Sequence, residues 1–229
     1  MNEETKKTVK PRVPRVLTFD LEIRKLIPGK DGLRKTGFNY CDGWNDKINM
    51  GISFGAAYLD WVDEYRIYGE ENIGKLINDM EESDIITGYN IIGFDMPLLS
   101  ETWARVWAAG VRDTKTLDPE KPPQIPQDKV YDPFHDIKKS LGNNYPKGWN
   151  LDNVAKSNLP DICKNGDGAM APILFQQGRI AELATYVIQD VKVEKELFRY
   201  CWENGTLKND VTADVIKLRG MEKLKKEWE

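Results

Sequence analysis

The sequence predicts an α/β protein built on a mixed sheet, antiparallel among its first strands and parallel afterwards, with helices flanking it. Three observations carry that expectation. Three strand-like runs come before the first helical pattern. From residue 72 onward, helical and strand-like segments alternate, which is the order of a parallel sheet. A long segment near the C-terminus carries one apolar stripe at helical spacing, a face that needs a core to bury it.

Residues 1–14 are polar, hold Pro11 and Pro14, and read as a disordered tail. Residues 15–23 read as the first strand, rich in β-branched and aromatic side chains. Residues 24–47 carry Gly, Asp, Asn, Lys and Arg and read as an irregular excursion. Two further strands are expected at 50–61 and 64–68. A helix follows at 72–80, where Ile73, Leu76, Ile77 and Met80 recur at helical spacing. Residues 85–89 read as a short buried strand. Residues 97–109 read as a helix whose Leu99, Trp103, Val106 and Trp107 form one stripe, which assigns the two tryptophans to packing. Four prolines make 110–129 a loop, and Val130-Tyr131 a short strand. A short helix is expected at 151–159 and the longest at 179–203, closed by Asn204-Gly205. The expected main domain spans 15–205, with 206–229 as its C-terminal extension. Within that extension 211–218 reads as strand and the charged end as helix.

The chain has 229 residues, 40% of them hydrophobic and 31% charged, an ordinary composition for a folded soluble protein. No uncharged run approaches a membrane span of about 18 residues. The N-terminus lacks the apolar region of a secretory signal. Cys41, Cys163 and Cys201 are far apart and form no CxxC pair, which fits a reducing, cytoplasmic setting. His135 is the only histidine, so an HExxH or two-histidine metal site is excluded. Net charge is −4, which gives no bulk signal for nucleic-acid binding. A carboxylate site holding two divalent ions would bring +4 and cancel it.

Three local patterns carry chemistry. Asp20 and Glu22 lie two apart in the first strand, so both side chains face one side. Carboxylates that close repel unless a cation lies between them, and hard ions such as Mg²⁺ or Mn²⁺ suit them. The second pattern is a glycine-containing strand-to-helix turn holding Asn90, Phe94 and Asp95. Asp95 is also a good helix cap and Asn90 a good turn former. In the third, Tyr186 and Asp190 lie four apart on one face of the long helix. Asp190 flanks the apolar stripe, where a carboxylate is costly unless paired or metal-bound.

Singly these patterns are ordinary, but their order along the chain is specific. Asp-x-Glu on the first strand, Asn-xxx-Phe-Asp at a later strand-to-helix turn and Tyr-xxx-Asp on a late helix resemble the DEDD superfamily of 3′–5′ exonucleases, which have a ribonuclease H-like fold. Tyrosine in the last motif places the likeness with the DEDDy branch. The histidine branch carries His five positions before its final Asp, where this chain has Thr185. The segments 132–138, 149–156 and 164–168 also look like those between the second motif and the final helix. The likeness is strongest to the proofreading exonuclease domain of family B DNA polymerases and its stand-alone relatives, over 15–205. A chain of 229 residues has no room for palm, fingers and thumb, so a stand-alone enzyme or a subunit acting in trans is expected.

The resemblance implies a two-metal phosphodiester hydrolase acting on the 3′ end of single-stranded DNA. It implies Asp20, Glu22, Asp95 and Asp190 as ligands of two Mg²⁺ or Mn²⁺ ions. Asp20 would bridge both, Glu22 and Asp190 would hold the ion carrying the attacking water, and Asp95 would support the second. Tyr186 would orient that water; with a reference pKa of about 10 it is a poor base at neutral pH. Asn90 and Phe94 would shape the pocket for the terminal nucleotide. A DNA polymerase or other replication protein is the implied partner. Trp149, in a loop after Lys147-Gly148, is a further candidate for base stacking. His135 reads as a structural histidine and Asp132, before Pro133, as a turn or cap; Asp136 has no evident role. RNA trimming uses the same site chemistry, and nothing in the residues reads a 2′-OH. A non-catalytic nucleic-acid-binding module is disfavoured because all four acids and the tyrosine are present. A purely structural partner protein leaves Asp190 and the Asp20/Glu22 pair without a cause.

Overall fold

Alternating side chains decide how the first strand is used. In the computed structural model β1 (Val16–Ile23) buries Leu17, Phe19, Leu21 and Ile23 on one face of the sheet. Thr18, Asp20 and Glu22 occupy the other face. The structure describes residues 12–110, 124–143, 146–160, 162 and 168–228. Residues 1–11 of the tail expected at 1–14, most of the 110–129 loop and most of 164–168 lie outside them.

After β1 come a one-turn helix α1 (Lys47–Met50), β2 (Ile52–Leu59) and β3 (Glu64–Tyr68). Then follow α2 (Ile73–Glu82), β4 (Ile85–Thr87), α3 (Asp95–Ala108), β5 (Val130–Tyr131), α4 (Pro133–Leu141) and α5 (Leu151–Asn158). Beyond them lie α6 (Ala171–Gln176), the 25-residue α7 (Ile180–Asn204), β6 (Thr206–Asn209), β7 (Asp214–Lys217) and α8 (Arg219–Lys226). The main sheet has the order β3-β2-β1-β4-β5. β1 pairs antiparallel with β2, which pairs antiparallel with β3. β4 pairs parallel with both β1 and β5. The mixed sheet is the one the sequence predicts.

Two cores sandwich this sheet. The β1 residues Leu17 to Ile23 pack with α2 and α3, including Leu76, Leu99 and Trp103. Trp103 and Trp107 contact each other at 5.3 Å between ring centroids, as packing residues. The second core gathers α4, α5, the C-terminal half of α7, the β6–β7 hairpin and Met221 of α8. Between these, Val187 and Val191 of α7 lie on Ala56 and Tyr58 of β2. The apolar stripe of α7 thus lands on the sheet face that carries Asp20 and Glu22. Gly205 ends α7 in the left-handed conformation, φ 65°, which glycine adopts without steric cost.

Some boundaries differ from expectation. The third helix begins at Asp95 rather than Pro97, because proline is tolerated in a first turn whose N–H groups have no helical partner. α4 is an addition to the expected helices; Asp132 starts it, accepting from the backbone N–H groups of Phe134 and His135. The expected strand at 211–218 is instead the turn and second strand of a hairpin that begins at Thr206. Ala213 in that turn has φ 60°. Among the described residues no helix is long and apolar enough to cross a membrane.

Candidate active site

The site forms where three backbone segments meet: β1, the turn after β4 and the middle of α7. β4 pairs only with Val16, Leu17 and Thr18 of β1, so beyond Thr18 that edge of β1 has no strand partner. The chain after β4 turns through Tyr89–Phe94 into α3, and the Asp95 carboxylate takes the place of the missing strand. Its Oδ1 accepts the backbone N–H of Leu21 at 3.0 Å. This fixes Asp95 beside Asp20, its neighbour across the bond. α7 closes the site over the face of β1 that carries Asp20 and Glu22.

Carboxylate oxygens of Asp20, Glu22 and Asp190 lie within 4.8 Å of one another. Glu22 and Asp190 are buried and Asp20 half-buried. All are hard oxygen donors, so the set suits Mg²⁺ or Mn²⁺ and offers no imidazole or thiolate for softer metals. Such a cluster, with no cation counted, is a concentration of repulsion in low dielectric. The residues present therefore fit the divalent ions the resemblance implies. Asp95 lines the same cavity of about 620 Å³, as do Tyr186, Asn90 and Phe94. Apolar walls come from Leu21, Ile23 and Leu26, and from Pro172 of α6.

Burial shapes the protonation of this site. Asp95 is 3% exposed, and burial first, then the charge of Asp20, drives its carboxyl well above the usual range against the opposing Leu21 N–H. Tyr186 is pushed above its ordinary value by burial, then by Glu22 and Asp190. Asp190 lies one helical turn away, and its charge also favours the neutral phenol. The phenol is therefore a neutral donor rather than a base.

Two carboxylates that sequence reasoning did not place at the site organise this region. Asp132 is 3% exposed and serves two elements at once. Its Oδ1 accepts from Asn90 N at 2.9 Å and from the first turn of α4, and its Oδ2 accepts from Ile92 N at 3.1 Å. The cap expected at this position is thus also the clamp of the Asn90 turn. Asn90 is held at φ 66°, a strained region that asparagine tolerates better than most residues. Glu194 lies one turn beyond Asp190 and is 4% exposed. Its Oε1 accepts the Tyr89 N–H at 3.1 Å, while its Oε2 is buried with no hydrogen-bond partner. Burial, then Asp20, Asp95 and Asp190, drives this carboxyl well above its ordinary range. Gly88 makes the approach possible: a Cβ there would lie 2.5 Å from the Phe19 carbonyl oxygen and 3.4 Å from Glu194 Oε2.

The structure corrects one expectation. Trp149 is 1% exposed inside the second core, and its carbonyl accepts from the Tyr89 hydroxyl at 2.6 Å. A ring packed on all sides has no face for a base. His135 lies outside the cavity, in the wall of a neighbouring groove. Asp136 acquires a role: its Oδ2 accepts from Gly220 N and Met221 N, anchoring the start of α8.

No family model matches the chain, and no curated protein matches it. Among solved structures it is similar to the family B DNA polymerase from the hyperthermophilic archaeon Pyrobaculum calidifontis, with a TM-score of 0.57 at 20% sequence identity. The match covers 83% of this chain and 25% of the polymerase chain. The protein thus shares the mixed-sheet α/β fold of a segment that makes up about a quarter of that polymerase.

Proposed function

We propose that the protein is a metal-dependent 3′–5′ exonuclease of the DEDDy type, hydrolysing phosphodiester bonds at the 3′ end of single-stranded or frayed DNA. The observation that carries this reading is the convergence of Asp20, Glu22 and Asp190 within 4.8 Å, in a cavity also lined by Asp95 and Tyr186. Those are the four acids and the tyrosine of the ordered motif set. A proofreading or repair role beside a DNA polymerase belongs to the same proposal.

Hydrolysis joins a water oxygen to phosphorus and breaks the bond to the 3′ oxygen of the preceding nucleotide. The leaving oxygen takes a proton, and a nucleoside 5′-monophosphate and a strand shorter by one are released. Two divalent ions, when bound, activate the water and offset charge growing on the attacked phosphate and the leaving oxygen. Asp20, Glu22, Asp95 and Asp190 would hold them. Tyr186 presents a neutral hydroxyl beside Asp190 and can orient the nucleophile through its hydrogen bond. Asn90 and Phe94 line the mouth and bound the terminal nucleotide. The Asp95–Leu21 bond keeps the second-motif carboxylate aligned with β1.

The test uses 5′-labelled single-stranded DNA and RNA of matched sequence, with Mg²⁺, Mn²⁺ or EDTA. Stepwise shortening of DNA from the 3′ end, abolished by EDTA, is the expected result. Equal activity in EDTA, or release from the 5′ end, would overturn the assignment. Faster trimming of RNA would move the substrate class.

A further inference from the structure

A second depression, about 1080 Å³ in volume, opens beside the carboxylate cavity and shares Trp44, Asn90 and Phe94 with it. Its chemistry is the reverse of the cavity's. Lys47, Lys138 and Lys139 line it, with Phe134 and His135, and none of its described lining residues is acidic. In a chain of net charge −4 this is a local inversion of sign. The cations are interleaved with rings. Lys47 Nζ lies 3.9 Å from the centroid of the Phe94 ring, and Lys138 Nζ 4.6 Å from that of Phe134. Lys138 also donates to Asn90 Oδ1 at 3.3 Å, so the groove and the turn at the site mouth are joined by a hydrogen bond. Trp44 meets Phe94 edge to face, centroids 5.9 Å apart, and is itself 65% exposed. An indole that exposed leaves most of its surface to solvent or to a ligand.

Lysines near the end of α4 also complement its dipole, and exposed lysines are common. That explanation does not cover Lys47, which comes from a different element, nor the half-burial of Lys47 and Lys138 against aromatic faces. Alternating rings and cations in a groove are how proteins follow a single strand without reading its sequence, bases stacking on rings and phosphates meeting cations.

We infer that this groove is the track for the strand upstream of the 3′ terminus, holding a single-stranded polynucleotide through stacking on Trp44 and phosphate contacts to Lys47, Lys138 and Lys139. The inference rests on the proposed exonuclease reading, which sets the 3′ end in the adjoining cavity. The 24–47 excursion thereby acquires a role, because Trp44 is the stacking surface that Trp149 is not.

The experiment measures equilibrium binding of fluorescent oligothymidylates in EDTA, where strands stay intact. A hexanucleotide should bind more tightly than a dinucleotide, with a logarithmic salt slope of about −2 for three phosphate contacts on a single strand. Trp44→Ala should weaken hexanucleotide binding by about 5- to 150-fold. Lys139→Ala should weaken it and make the slope shallower by about 0.7. Both residues are exposed, so both variants are expected to fold, as a melting curve verifies. In each variant the hexanucleotide-to-dinucleotide affinity ratio should collapse. Wild-type affinity in both variants, from an enzyme that still shortens 3′ ends, would overturn the groove and spare the exonuclease reading. No 3′ shortening by the wild type would instead remove that reading. Displacement of the hexanucleotide by a polyglutamate of equal charge, at equal concentration, would overturn a nucleic-acid occupant.

Discussion

Glu194 shows how one buried oxygen can set the behaviour of a site. Its Oε1 is satisfied by Tyr89 N–H and its Oε2 has no hydrogen-bond partner. A buried carboxylate so placed favours its protonated form. Asp95, Asp132 and Glu194 all carry raised pKa values, with burial as the leading cause. A carboxyl whose pKa rises on folding binds its proton more tightly folded than unfolded. Its contribution to stability is then greatest at low pH and is lost as pH rises from the ordinary value, 3.8 for Asp or 4.5 for Glu, through the raised one. The metal-free protein should therefore melt at progressively lower temperature from pH 5 to pH 8. Glu194→Gln keeps an acceptor for Tyr89 and removes the charge. It should raise the melting temperature at pH 8 by about 2–4 °C for each kcal/mol relieved, with a smaller gain at pH 5. Scanning calorimetry in EDTA reads both effects. A wild-type protein stabilised by rising pH, or a Gln variant destabilised at pH 8, would contradict this account.

The elements are positioned by polar bonds between distant segments, and this separates what the sequence discloses from what it hides. Asp20 and Glu22 are legible because a strand has period 2, and Tyr186 and Asp190 because a helix has period 3.6. Those periods act within a few residues. Asp132 bonds to Asn90, 42 residues away, Asp136 to Gly220 at 84, and Glu194 to Tyr89 at 105. No local pattern encodes such pairs, so Asp132 reads only as a turn or cap, Asp136 as nothing, and Glu194 as one more charge on a helix. Trp149 misleads for the same reason: its loop position is local, while its burial comes from Tyr89 and the hairpin core. The clamp can be tested directly. Asp132→Ala strands the N–H groups of Asn90 and Ile92 and uncaps α4. A lost cap costs about 1 kcal/mol and each stranded buried group about 1–3. A loss of about 3 kcal/mol, or about 6–12 °C in melting temperature, is expected. Exonuclease rate should fall with it, since the turn carrying Asn90 and Asp95 loosens. A variant as stable as the wild type would show that the turn is held by other bonds.

At the scale of the whole molecule, cavity and groove together would, on the proposed reading, select the form of the nucleic acid. The cavity lies between the end of β1, the Asn90–Asp95 turn and α7. A terminal nucleotide would enter it only after leaving its pair and its stack, at a cost of a few kcal/mol. Even about 2 kcal/mol gives roughly a 30-fold preference for single strands over blunt duplex. A terminal mismatch, already frayed, should lie between them. Rates on the three substrates at one salt concentration decide the matter. Equal rates on blunt duplex and single strand would mean that the protein opens ends itself, with the 24–47 segment and its exposed Trp44 as the element placed to do so.

The central claim is that two ends of the fold, β1 and α7, build one metal-dependent centre from residues about 170 positions apart in sequence. Asp190→Asn tests it most directly. Asparagine keeps the shape and an acceptor for Tyr186 while removing charge from the cluster of Asp20, Glu22 and Asp190. The measurement is the single-turnover release of the 3′-terminal nucleotide from single-stranded DNA in Mn²⁺, paired with the melting temperature in EDTA. The account predicts a rate lower by on the order of 10² or more, with a melting temperature that holds or rises as repulsion is relieved. A folded variant that releases nucleotide at the wild-type rate would contradict it.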